Sequence, residues 1–138
     1  MIYVTKRVTF SAAHRLYNPN FSDEENAKVF GLCNNILGHG HNYDLEVTVR
    51  GDIHPETGMV IDLTRLKEIL MKEIIEKVDH KHLNYDVPFL KNVIPTAENL
   101  AVKFWEILED KINEGELYEI KLYESRNNSV TYRGKSVD

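Results

Sequence analysis

The sequence has a single cysteine, Cys33, so no disulfide can form within the chain; this fits a reducing compartment and leaves one thiol available for chemistry. It has no concentrated stripe of Lys and Arg either, since 17 basic residues stand against 22 acidic ones for a net charge of −5. A phosphate backbone would find nothing to track, and nucleic acid is not an expected partner. No apolar run approaches the roughly 20 residues needed to cross a bilayer. The opening Met1-Ile2-Tyr3-Val4-Thr5-Lys6 lacks the basic and then continuously apolar regions of a secretory leader. The expectation is therefore a cytoplasmic protein with no membrane partner. Repeats, low-complexity tracts and linkers are also missing. At 138 residues the chain is expected to fold as one domain, 1–138, with one core and one principal site.

What is present is periodic. Ile2, Val4, Val8, Phe10 and Ala12 share one parity, interrupted by Lys6, which predicts a strand with one apolar side. Tyr43, Leu45, Val47 and Val49 alternate with Asp44, Glu46, Thr48 and Arg50 and predict a second. About two dozen residues separate the two, far beyond a hairpin loop of roughly 2–5 residues; such connections tend to be functional or disordered. Asp62 is placed to cap a helix in which Leu63, Leu66, Ile69, Leu70 and Ile74 recur at helical spacing to about Val78. A second helix starts near Thr96, carries Leu100, Ala101, Phe104, Trp105, Leu108 and Ile112 as its stripe, and is expected to end at Gly115. Tyr118, Ile120 and Leu122 predict a third strand, and Ser129 to Tyr132 a fourth, joined through the turn residues Ser125-Arg126-Asn127-Asn128. The order ββααββ predicts an α+β fold, a four-stranded antiparallel sheet with two helices on one face.

Ionisable groups fall where that face should be apolar. His14 continues the first strand's inward parity, His39 and His41 lead into the second in phase with its apolar side, and Glu124 extends the third. Antiparallel pairing of the first two strands would bring His14 beside His39 and His41. Side chains two apart on a strand point the same way, so His-x-His lets two neutral imidazoles reach one ion. A Gly-His-Gly-His by itself is more often a loop than a metal site; the third histidine in matching phase shifts the balance toward metal. Three protein ligands with an open position is the pattern of catalytic zinc, whereas structural zinc usually takes four ligands rich in cysteine. Considered alone, Cys33 would be a buried inert thiol, Asp79-His80-Lys81-His82 a helix end with either His80 or His82 near its negative pole, and Glu124 a solvated strand end.

Several spaced stretches together carry a resemblance. Phe10-Ser11-Ala12-Ala13-His14-Arg15-Leu16, Cys33-Asn34-Asn35-Ile36-Leu37-Gly38-His39-Gly40-His41-Asn42-Tyr43, Thr57-Gly58-Met59-Val60, Val78-Asp79-His80-Lys81 and Tyr123-Glu124-Ser125-Arg126-Asn127-Asn128 resemble the 6-pyruvoyl-tetrahydropterin synthase family in order and spacing over nearly the whole chain. The resemblance implies a ββααββ tunnelling-fold subunit. It also implies a homohexamer, a dimer of trimers with active sites at subunit interfaces. It places zinc on His14, His39 and His41, catalytic roles on Cys33, Asp79 and His80, and substrate binding on Glu124 and Thr96. The implied substrate is 7,8-dihydroneopterin triphosphate, a small pterin. In the implied reaction zinc polarises its side-chain hydroxyls and Cys33 as thiolate removes a carbon-bound proton. Triphosphate then leaves, giving 6-pyruvoyl-tetrahydropterin with no organic cofactor.

Within that resemblance other products stay open. Pro95-Thr96-Ala97-Glu98-Asn99 stands where animal pyruvoyl-forming enzymes have a Thr-Thr pair, and is similar to the 6-carboxytetrahydropterin synthases of queuosine biosynthesis. The six-residue step from Cys33 to His39, the Asn34-Asn35 pair and the stretch from Glu24 to Gly31 look like the animal type. A relative that releases 6-hydroxymethyl-dihydropterin places a Glu near the catalytic cysteine position, and no Glu adjoins Cys33. A non-catalytic pterin-binding zinc protein is the rival of another class. It has no need of a thiol beside an open metal position.

Overall fold

Two long strands form the spine of the computed structural model, which describes residues 1–135. Strand β1, Ile2–His14, pairs antiparallel with β2, His39–Gly51, over its whole length, with Ile2 opposite Gly51 and His14 opposite His39. The sheet grows outward from β2 through β4, Glu116–Tyr123, and β5, Ser129–Tyr132, both antiparallel to their neighbours. The four expected strands are all present, but the sheet is neither four-stranded nor wholly antiparallel. A two-residue strand β3, Lys81–His82, runs parallel to β1 at Ala12 and Ala13, giving the order β3-β1-β2-β4-β5. Two residues are too few to show a period of two, so this strand leaves no mark in the sequence.

The connection between β1 and β2 is not featureless. It contains α1, Asp23–Phe30, followed by a 3₁₀ turn, Gly31–Asn34. Ser22 and Glu25 form a capping box, with Glu25 N–H donating to Ser22 Oγ at 3.1 Å and Ser22 N–H donating to Glu25 Oε1 at 3.4 Å. The residue that α1 buries is Asn26, an amide rather than an apolar side chain. With no apolar stripe, periodicity could not reveal this helix; the Ser-x-x-Glu signature was its one sequence signal.

Helix α2, Leu63–Leu70, is capped by Asp62, whose carboxylate accepts from Thr64 N–H at 2.9 Å, and it passes through a π turn, Met71–Ile75, into α3, Glu76–Val78. The wider turn lets the consecutive Ile74 and Ile75 both face the core. Helix α4, Ala97–Leu108, stops well short of Gly115. Gly115 instead has φ +71°, and a Cβ there would lie 2.8 Å from the Arg50 carbonyl, so it is the turn into β4 that needs glycine. The inward phase of β4 also differs from the simple alternation. Its core residues are Leu117, Ile120 and Leu122, because a bulge opposite Thr48 and Val49 takes up Tyr118 and shifts the parity.

The helices cover one sheet face. Val8, Phe10, Tyr43, Leu45 and Val47 meet Leu66, Leu70, Ile74, Leu100, Phe104 and Leu108 in one buried cluster. Phe10 stacks on Tyr43 at 4.6 Å and meets Phe104 edge-on at 6.0 Å. Truncating a fully buried Leu45 or Leu100 to Ala is expected to cost about 2–5 kcal/mol. The other sheet face is polar: Arg7 pairs with Asp44 at 2.6 Å and with Glu46 at 3.0 Å, and Thr5 bonds Thr48 at 2.7 Å. No helix among the described residues is long and apolar enough to cross a membrane.

Candidate metal centre

The β1–β2 register places His14 opposite His39 and Ala12 opposite His41, so three imidazoles meet at one end of the sheet. Their ring centroids are 4.7–5.1 Å apart, and one ring nitrogen of each lies within 4.8 Å of the others. Each ring also has a buried nitrogen without a hydrogen-bond partner: His14 Nε2, His39 Nδ1 and His41 Nε2. An unsatisfied buried polar atom costs about 1–3 kcal/mol, so three at one point are unfavourable unless something binds there. A cation accepting three imidazole lone pairs resolves them together, and the donor set suits a borderline metal such as zinc.

Electrostatics favour the ligating form. Burial pushes the His14 pKa down to about 4, against the Pro95 carbonyl, which favours the charged ring, and with the neighbouring imidazoles adding to the fall. His41 is lowered as well, first by burial, with Glu124 opposing and His39 assisting. Both rings are neutral at neutral pH, as a metal ligand must be. His14 Nδ1 lies 2.8 Å from the Pro95 carbonyl. A carbonyl can only accept, so Nδ1 carries the proton and Nε2 keeps its lone pair. The Tyr43 hydroxyl lies 3.3 Å from the same Nδ1, and burial raises the phenol pKa, keeping it protonated.

The other candidates sit around this group at different distances. Glu124 leaves the end of β4 half-buried, its Oε1 3.6 Å from His41 Nε2. Asp79 and His80 form a clamp on β1: Ser11 N–H donates to Asp79 Oδ1 at 2.9 Å, His80 N–H donates to the Ser11 carbonyl at 2.6 Å, and His80 Nδ1 lies 3.0 Å from Asp79 Oδ2. The Ser11 N–H and the His80 ring hold the Asp79 carboxyl below its usual range. His80 itself has φ +60° and a side chain 81% exposed. Cys33 stands outside the convergent group, half-buried in the 3₁₀ turn. Its turn is latched to the two residues that follow β1, since Leu16 N–H donates to the Cys33 carbonyl at 2.8 Å and Arg15 donates to Asn34 at 3.0 and 3.1 Å. Thr96 is the N-cap of α4, its Oγ1 accepting from Asn99 N–H at 3.2 Å.

Two contributors lie outside the residues that the sequence assigned to the site. The Pro95 carbonyl reaches His14 from 81 residues away, and any residue type supplies a carbonyl. His82, weighed in the sequence only beside His80, joins the cluster through the pairing of β3 with β1, its buried Nε2 also unpartnered. An open cavity of about 450 Å³ is lined by Ser11, Asn42, His41, His80 and His82. A larger one, about 780 Å³ between Tyr17–Asn20 and Asn84–Ile94, is lined by no histidine or cysteine.

Comparison with known proteins gives a consistent answer. Residues 3–135 match the family model described as 6-pyruvoyl tetrahydropterin synthase. The human 6-pyruvoyl tetrahydrobiopterin synthase is 50% identical over 132 residues, covering 96% of this chain and 91% of its own. A 6-carboxy-5,6,7,8-tetrahydropterin synthase from Aquifex aeolicus is 33% identical, covering 94% of this chain and 96% of its own. The solved structure of the Caenorhabditis elegans 6-pyruvoyl tetrahydropterin synthase superposes with a TM-score of 0.91 at 41% identity, covering 97% of this chain and 96% of that one.

Proposed function

The chain belongs to the 6-pyruvoyl tetrahydropterin synthase family, and on that premise we propose that it is a zinc-dependent lyase converting 7,8-dihydroneopterin triphosphate to 6-pyruvoyl-tetrahydropterin with release of triphosphate. The observation that carries the reading is the convergence of His14, His39 and His41, each with an unpartnered buried nitrogen, in a chain half identical to a relative named for the pyruvoyl product. When bound, zinc supplies a Lewis acid beside the substrate's side-chain hydroxyls and acidifies the adjoining carbon-bound proton.

The chain's own residues do the rest. Cys33, as thiolate, takes that proton. Asp79 holds the His80 ring through Nδ1, leaving Nε2 to exchange a proton with the thiol or the substrate. Glu124 accepts hydrogen bonds from the pterin amino group and ring N–H, a charge-assisted pairing a neutral side chain would make less strongly, and Thr96 offers its hydroxyl proton nearby. One carbon–oxygen bond breaks as triphosphate departs, and the remaining redox change is internal to the substrate, the second side-chain carbinol being oxidised to a ketone as the C=N bond of the dihydropterin ring is reduced to the tetrahydro level. No organic cofactor is needed.

His80 points outward, and Leu32, Ile36 and Leu37 around Cys33 are 94%, 74% and 86% exposed. Both features favour a site completed by a neighbouring subunit, in the hexamer that the family resemblance implies.

The test is turnover of zinc-loaded protein on 7,8-dihydroneopterin triphosphate, with products identified by mass and Cys33→Ala run alongside. A pyruvoyl product lost in the variant is the expected result. A carboxy product with acetaldehyde, the outcome favoured by the Pro95-Thr96-Ala97 stretch, would move the chain to the queuosine branch. Bound pterin with no product from either protein would leave a binding module and overturn the catalytic reading.

A further inference from the structure

The orientation of His14 is set by a carbonyl in a segment that no sheet ladder holds. Pro95 lies between the 3₁₀ turn Pro88–Leu90 and α4, in neither a strand nor a helix. It is buried, and its carbonyl accepts from His14 Nδ1 at 2.8 Å. The carbonyl stays in place through the start of α4. Thr96 N–H donates to the Ile94 carbonyl at 2.8 Å, Asn99 Nδ2 donates to that same carbonyl at 2.9 Å, and Asn99 N–H donates to Thr96 Oγ1 at 3.2 Å. Asn99 therefore grips both residues that flank Pro95, one with its side chain and one with its backbone.

Asn99 is otherwise an unfavourable choice. Its side chain is exposed in the first turn of a helix, where alanine has the better helix propensity. The bond to Ile94 runs backward over the cap and does nothing for the helical ladder. Its effect is to fix the chain on either side of the His14 acceptor.

We propose that Asn99 is a positioning residue for the metal site, acting through the Pro95 carbonyl to hold the His14 ring with Nε2 toward the ion. The inference rests on the reading of His14, His39 and His41 as a metal site. Ordered outer-shell acceptors raise the affinity of the histidine they hold, and losing a direct one costs roughly ten- to a hundredfold. Asn99 is one bond further out, so a smaller effect, roughly three- to tenfold, is expected.

The experiment is cobalt(II) affinity by chelator competition, with the visible d–d spectrum of the bound ion, on unsubstituted protein, Asn99→Ala, Asn99→Asp and Asp62→Ala. Asn99→Asp keeps the shape and removes the donor. Asp62→Ala removes the cap of a different helix and measures what lost helix stability alone does. Expected are a weaker affinity and an altered spectrum in both Asn99 variants, with Asp62→Ala like the unsubstituted protein in both. Affinity and spectrum unchanged in Asn99→Ala and Asn99→Asp, or an equal loss in Asp62→Ala, would overturn the positioning role. Failure of the unsubstituted protein to take up a cobalt(II) ion would overturn the metal reading itself, and the inference with it.

Discussion

Asp79 shows how a residue with a chemical assignment can also be a structural tie. Its carboxylate accepts from the Ser11 N–H and sits against the His80 ring, and both lower its pKa below the usual 3.8. A depressed folded-state value means that the charged form is bound more tightly in the native protein. The resulting stability is present above 3.8 and is lost as pH falls through the lower folded value. Asp79→Asn should therefore be less stable than the unsubstituted protein near neutrality, with the gap closing in acid. Urea midpoints at about pH 7 and about pH 2.5 measure it. A constant gap across that range would mean that the carboxylate charge contributes nothing. At the same scale, the neutral state of His14 follows from burial and needs no ion to impose it.

At the level of elements, Gly38 is the hinge on which the site turns. It ends the loop before β2 with φ +80°, and an added Cβ would lie 2.8 Å from the His14 carbonyl and 2.9 Å from His82 Nε2. The neighbour is backbone, so it cannot simply swing aside. Gly38→Ala is expected to cost at least the roughly 1–2 kcal/mol of a left-handed non-glycine residue, and to move His39 relative to His14. The measurable outcome is a fall in the thermal midpoint together with weaker metal uptake. Unaltered metal uptake in a folded Gly38→Ala would show that the loop adjusts without disturbing the imidazoles. Two other devices act similarly, one in each layer. The π turn at Met71–Ile75 and the bulge at Tyr118 each advance the inward phase by one residue, which lets Ile74, Ile75 and Leu117 reach the core.

For the whole molecule the exposed apolar turn is decisive. Leu32, Ile36 and Leu37 lie in a short stretch around Cys33 and bury little of their surface, an arrangement costly for an isolated subunit. Leu32→Glu combined with Leu37→Glu should shift the protein toward smaller species in light scattering and reduce turnover, while leaving the metal group, which a single chain supplies, able to take up cobalt(II). An unchanged particle size would remove this turn from the proposed subunit interface. What the sequence determined by itself was most of what repeats toward the core: four strands, two amphipathic helical segments, and the antiparallel pairing that gathers His14, His39 and His41. Those features were legible because a face of several apolar side chains writes a period of two or 3.6 into the chain. The tertiary structure alone decided the parallel strand at Lys81–His82, the hold of the Pro95 carbonyl on His14 and the clamp of Asp79 and His80 on Ser11. Each depends on a segment too short or too polar to show a period, or on backbone groups that every residue carries. Their partners lie far apart in sequence, and folding is what brings them within hydrogen-bonding range.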